Sequence, residues 1–158
     1  PRAPRAPQQH VMRRMAGAVD VQAHSETALA HDLQDAGLEQ LPPGVMVYSI
    51  DGPFFFGAVE HLERKLVETH TEPGHLIIRL GRVPFMDATG LQAFEEAIDL
   101  FHQRGTSVAI SETNTAVLRK LAKSGLIRKI GRDHVFTSLA DALRQSANPL
   151  REHGDRNG

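Results

Sequence analysis

Between Gly44 and Ala147 the apolar positions come in blocks whose period switches, and each switch marks an element. Val45–Ile50, VMVYSI, is a β-rich run, and Asp51-Gly52-Pro53 after it is turn chemistry. Phe54-Phe55-Phe56 follows at once, so two short strands are expected to form a hairpin. Val59, Leu62 and Leu66 then recur at helical spacing, with Glu60, Glu63, Arg64 and Lys65 between them. Pro73-Gly74 breaks the chain, and Leu76 to Leu80 is nearly all apolar, as in a strand covered on both faces. Leu91, Phe94, Ile98 and Phe101 make one helical stripe, with Gly105 placed to end it. TSVAI, residues 106–110, reads as a further strand. Val117, Leu118 and Leu121 mark a helix ending near Gly125. DHVF is a brief strand, and SLADALRQSA a last helix capped by Ser138. The order is β-β-α-β-α-β-α-β-α without internal repeat, which predicts an α/β layered domain. Crossovers between parallel strands are expected to be right-handed. In such sheets the loops at the carboxyl ends of strands tend to hold functional residues.

One such loop interrupts the pattern. VPFMDATG, residues 83–90, crowds an acid, a hydroxyl and a glycine between a buried strand and an amphipathic helix. Part of this is helix chemistry: Thr89 and Gln92 have the spacing of a capping box, and Asp87 suits the positive helix end or a cap one turn earlier. Gly90 lets another backbone approach. The functional reading adds that Thr89 would stand exposed at a helix N-terminus, where a phosphate is electrostatically welcome. A phosphate there adds roughly −2 charge beside Asp87. The candidate recognition or regulatory loop is therefore Asp87, Ala88, Thr89, Gly90 and Leu91, with Thr89 as candidate phosphoacceptor.

Charge divides the chain further. Arg2, Arg5, Arg13 and Arg14 stand in residues 1–14 without an acid; Asp20, Glu26, Asp32, Asp35 and Glu39 stand in residues 15–40 without Lys or Arg. We expect a leader over residues 1–43, partly disordered and juxtamembrane in character, since Arg is favoured on the cytoplasmic side of a bilayer. Leu29, Leu33 and Ala36 hint at a short helix within it. The compact domain is expected over residues 44–147 and a flexible tail over residues 148–158. A start at Pro1 leads us to expect a piece of a longer chain, and no apolar stretch near it reads as a secretory signal. Composition is ordinary for a soluble globular chain, at 41% hydrophobic and 23% charged residues. The formal net charge of −1 argues against a polyanion binder. The lack of cysteine removes disulfides and thiolate chemistry.

Taken together, SIDGPFFFGAVEHLERKL, FMDATGLQAFEEAIDLFHQRG, NTAVLRKLAKSGLI and HVFTSLADAL resemble, in order and spacing, the STAS domain family. That family includes antagonists of anti-sigma factors and the C-terminal cytoplasmic domains of SulP-type anion transporters. DGPFFF resembles the transporter branch, and HVMRRMAG is similar to the segment where transporter chains leave the membrane. The resemblance implies a single STAS-like α/β domain, a mixed sheet of four or five strands flanked by about four helices. It implies a regulatory and interaction module on the cytoplasmic side of the inner membrane, tethered through a parent transporter of sulfate, bicarbonate or dicarboxylate. Its partners would be the parent's transmembrane domain and a second copy in the full transporter. In the antagonist branch the phosphoacceptor serine is the second residue after the aspartate, which here is Thr89. A free antagonist switched at Thr89 is the alternative.

Other constellations add less. The nine histidines are scattered and predict no metal site, and no cofactor is expected. There is no phosphate-binding glycine loop and no serine elbow, so an enzyme is not expected. Glu95 and Glu96 are adjacent on a helix and point apart, unsuited to paired acid–base work. Lys120, Lys123, Arg128, Lys129 and Arg132 form a candidate basic patch, either a solvated face or a seat for a nucleotide or an acidic protein. With one Tyr and no Trp there is little to stack on bases, so nucleic acid is not expected. Within Phe54–Phe56 most side chains are expected to pack inward, and an outward one could meet the membrane domain or a twin domain.

Overall fold

The computed structural model describes residues 20–52, 55–68 and 72–148. One five-stranded sheet organises them: β1 (Asp20–Ala23), β2 (Val45–Asp51), β3 (His75–Arg82), β4 (Ser107–Ser111) and β5 (Val135–Phe136), side by side in that order. β1 runs antiparallel to β2, and the other neighbours are parallel. The sheet is thus mixed, as the resemblance implied.

Side-chain alternation sorts the strands into two faces. Tyr48, Ile50, Leu76, Ile78, Leu80, Val108 and Ile110 pack on one face, against the helices α2 (Phe55–Glu68), α3 (Ala88–Gln103), α4 (Thr115–Lys123) and α5 (Leu126–Ile130). Their contribution comes from Val59, Leu62 and Leu66, the Phe94–Ile98–Phe101 stripe, Val117 and Leu121, and Leu126 and Ile130. Full burial of each such side chain stabilises by about 1.5–3 kcal/mol. The opposite face carries Val45, Val47, Ile77 and Ala109, covered by α1 (Ala30–Asp35) and α6 (Leu139–Ser146) through Leu29, Leu33, Leu139, Ala142 and Leu143.

The hairpin expected at Phe54–Phe56 is not formed, and this is a correction. Phe55 and Phe56 open α2, and Phe54 lies outside the described residues. Phe55, Val59, Leu62 and Leu66 share one helical period, so the longer pattern overrides the local β preference of three phenylalanines. The antiparallel partner of β2 comes instead from upstream, with Asp20 opposite Asp51 and Ala23 opposite Tyr48. Residues 20–43, placed in the leader by composition, therefore supply an edge strand and a core helix. Residues 1–19 and the tail from Pro149 lie outside the described residues.

The helix expected around Val117–Leu121 ends near Gly125 as expected, and a further short helix follows it. Gly125 takes a left-handed φ of 84°, which ends α4 after Lys123 and restarts the chain as α5. Ser138 caps α6 as expected, accepting from the Asp141 amide at 3.2 Å.

Candidate functional site

The loop from Val83 to Asp87 leaves the carboxyl end of β3 and enters α3. Val83 and Met86 are fully buried, whereas Pro84, Phe85, Asp87, Ala88 and Thr89 are exposed. Gly90 is buried and Leu91 half-buried. The cap is Asp87, not Thr89: its Oδ1 accepts from the Gly90 amide at 2.8 Å. Thr89 already lies within the first helical turn, so the capping box expected with Gln92 does not form. The Gln92 side chain donates along the helix to Glu96 instead, at 3.4 Å. The reason is extended backbone at Asp87, φ −86° and ψ 176°, which places its shorter side chain across the open amides.

Helix α4 holds this loop from behind. Asn114 caps α4, its Oδ1 accepting from the Val117 amide at 2.8 Å. The same side chain donates through Nδ2 to the carbonyls of Val83, at 2.9 Å, and Pro84, at 3.3 Å. Lys120 Nζ donates to the Met86 carbonyl at 2.7 Å.

Lys120, one of the candidate basic patch, remains exposed while making that contact. The Lys129 ammonium lies 2.9 Å from Glu95 and 3.0 Å from Asp99, whose hydrogen bonds raise its pKa. Lys123 is exposed at the end of α4. Arg128 and Arg132 edge a shallow groove of about 400 Å³ with an apolar lining of Leu118, Ala122, Ile127 and Val135. Of the five cations, Arg128 and Arg132 line the groove, Lys120 and Lys129 make contacts within the domain, and Lys123 is exposed.

A second feature has no counterpart in the sequence reading. Helices α1 and α6 cover only the amino-terminal half of their sheet face. Beyond them the residues are polar, and a cleft of about 530 Å³ opens, lined by His24, Ser49, Asp51, Arg79, Gly81, Arg82 and Glu112. Arg79 and Glu112 form an ion pair there, and its hydrogen bond raises the arginine pKa. Arg82 reaches Asp51 at 3.4 Å. His24 Nε2 and Ser49 Oγ share a hydrogen bond. Burial, and then the Arg79 charge, push the His24 pKa below its ordinary value. The cations of the cleft are each matched by a carboxylate, so the cleft has little net charge.

The register shows which end is which. Asp20, Asp51 and Arg82 lie opposite one another across β1, β2 and β3, and the Gly52 amide donates to the Arg82 carbonyl. Residues upstream of Asp20 thus join the sheet at the end that carries the Val83–Leu91 joint. At the other end, Gln145 and Ser146 of α6 border Gly44, Gly74, His75 and Ser107, so the chain leaves α6 there.

Comparison with known proteins adds relatives. The model of the STAS domain family matches residues 39–142. The STAS domain of a SulP transporter from Vibrio cholerae is 39% identical, with a TM-score of 0.70 over 78% of this chain and 97% of that one. A sulfate transporter family protein from Wolinella succinogenes is 34% identical, with a TM-score of 0.63 over 73% of this chain and 94% of that one. High affinity sulfate transporter 1 of Stylosanthes hamata is 26% identical over 113 residues, 64% of this chain but 17% of that protein. The chain thus spans under a fifth of that transporter's length.

Proposed function

The chain belongs to the STAS domain family, and on that premise we propose that it is the cytoplasmic regulatory module of a SulP-type anion transporter. It works by contact rather than by catalysis. Docked beneath the membrane-embedded unit, it biases that unit among its conformations through contacts that differ between them. Sulfate, bicarbonate and dicarboxylates are the candidate cargo, and the sulfate transporters among its relatives favour the first. The module is tethered at the inner membrane and pairs with a second copy within the assembled transporter.

The observation that carries this reading is the coincidence at one end of the sheet. The upstream chain joins there, and the exposed joint Asp87–Thr89 stands there. A body attached upstream meets that joint without the domain having to turn over. In the full transporter, Thr89→Glu places a charge on the joint and changes anion flux and retention of the domain by the membrane unit. Unchanged flux together with unchanged retention removes the joint from the reading.

A free antagonist switched by phosphorylation is the second reading, favoured by one observation: the Thr89 hydroxyl is on an exposed residue two positions after Asp87. The full gene decides, because a transporter needs a multi-spanning region ahead of Pro1 and a free antagonist has none. At the Arg128–Arg132 groove, a nucleotide or an acidic protein is the fitting ligand class. Calorimetry with GTP and ATP tests the nucleotide, and no heat at millimolar ligand removes it.

A further inference from the structure

A single exposed apolar side chain is ordinary on a protein surface, but one held on an ordered loop can be buried by a partner at little further cost in entropy. Among the described residues two are strongly exposed, Val67 at 56% and Phe85 at 53%. Val67 lies on α2 beside Glu60, Glu63, Arg64 and Glu68, on a helix flank of ordinary amphipathic character. Phe85 is placed differently. It stands at the crest of the Val83–Asp87 loop, and the side chains two before and one after it, Val83 and Met86, are both fully buried. Those two plugs fix the loop on either side of the crest. The loop carbonyls of Val83, Pro84 and Met86 then accept from Asn114 and Lys120, both donors belonging to α4 and its cap. The ring is thus presented on a short segment that has already lost its freedom.

We propose that Phe85 is the anchor of the docking contact, seated in an apolar socket on the membrane-embedded part of the same parent transporter, and that Asn114 and Lys120 are the residues that position it. This inference rests on the docking reading above and names the residue that carries the contact. An aromatic side chain on a pre-ordered loop is the kind of group that dominates an interface, because its burial is large and little further entropy is lost on binding. The occupant follows from where the chain runs. β1 begins at the end of the sheet that carries Phe85, so the chain enters the domain from upstream beside the crest. A body attached upstream faces that end.

Photo-cross-linking in the full transporter tests this. A benzophenone side chain is installed at position 85, at position 89, or at position 123 on the opposite end of α4, and cross-linked partners are identified in native membranes. The expected result is a product joining position 85 to the membrane-embedded part, little from position 123, and a fall of about tenfold in the position 89 product when Phe85→Ala is added. Phe85→Leu, which keeps an apolar anchor, retains most of that product. Lys120→Met lowers the position 85 product several-fold and Lys120→Arg restores it, a pattern that mere loss of fold does not give. An unchanged product in Lys120→Met removes the brace. A product from position 89 that survives Phe85→Ala overturns the anchor and leaves docking intact. Products at position 85 with lipid or with a second copy of the domain overturn the proposed occupant. Absence of products from both 85 and 89 overturns the anchor and the docking reading together.

Discussion

Arg79 and Glu112 meet as a two-pronged ion pair, Nε to Oε2 at 2.7 Å and Nη2 to Oε1 at 2.8 Å, across the carboxyl ends of β3 and β4. Their side chains are 24% and 28% exposed, so the pair is largely withdrawn from water. Glu112 holds its place with a left-handed φ of 65°, alone among the non-glycine residues described. Two opposed effects therefore meet at one residue: a charge-assisted contact that stabilises and a backbone conformation that costs about 1 kcal/mol. Glu112→Ala loses the contact and keeps the strain, lowering unfolding free energy by about 2 kcal/mol. Glu112→Gly loses the same contact but relieves the strain, and is expected to be about 1 kcal/mol less damaging than alanine. Urea denaturation of both variants checks this; equal losses would show that the backbone is unstrained.

Gly81 is tied to the same pair. A Cβ added there would lie 3.2 Å from the Glu112 Cβ, and Arg79 restrains Glu112 from yielding. Gly81→Ala is expected to cost about 1–2 kcal/mol in the native protein. In a Glu112→Gly background the obstructing atom is gone and most of that cost disappears. The non-additivity of the double variant is the readout. Additive losses would place the origin of the Gly81 effect elsewhere.

At the start of α3, Asp87 and Thr89 separate cleanly. Asp87→Ala removes the oxygen that accepts from Gly90 and should destabilise by about 1 kcal/mol. Asp87→Asn keeps that oxygen and should cost a few tenths, through the lost charge at the helix end. Thr89→Ala leaves the cap untouched and should change stability by less than about 0.5 kcal/mol. Thermal melts of the three variants rank them; a Thr89→Ala loss as large as that of Asp87→Ala would contradict the assigned cap.

His24 makes stability depend on pH. Burial and the Arg79 charge, opposed more weakly by Asp32 and Glu112, lower its pKa from the ordinary 6.5. An unfolded chain takes up the proton near 6.5, while the folded ring still refuses it. Between those two values the unfolded state binds more protons, so stability falls as pH is lowered through that window. His24→Gln abolishes this contribution, and glutamine can still hydrogen-bond Ser49. Melting temperatures at about pH 7.5, 6.5 and 5.5 should converge for wild type and variant as acid is added. A constant difference between them would show that the ring does not titrate as described.

How much of this could be read from residues alone depends on how local the cause is. The Leu91–Phe94–Ile98–Phe101 stripe, the apolar β3 and the Ser138 cap depend on neighbours a few positions away, and all three are found. The resemblance to STAS domains was legible in four segments taken together, and the family match covers all of them but the final Leu143. Phe54–Phe56 failed because a short apolar run fits a strand as well as a helix start; only the continuing period through Val59 and Leu62 distinguishes them. β1 was hidden because its partner strand lies more than twenty residues away and nothing in its own four residues asks for it. Arg79 and Glu112 are 33 residues apart, beyond any motif spacing. One trace was present: Arg79 is the charge inside an otherwise apolar strand, and a charge in such a place needs a counterpart. The crest at Phe85 carries no local signal, because its exposure follows from the burial of Val83 and Met86 around it.

The antiparallel setting of β1 at the edge has a mechanical corollary. Tension between residue 20 and residue 148 enters along the axis of β1, because the chain arrives at one end of the sheet and departs from the other. The rungs joining β1 to β2 are then loaded together, in shear, instead of being unzipped in turn. A single-molecule pull through those two points should meet a higher rupture force than one applied sideways to β1, so a strand of four residues can serve as a strain-resistant hinge pin.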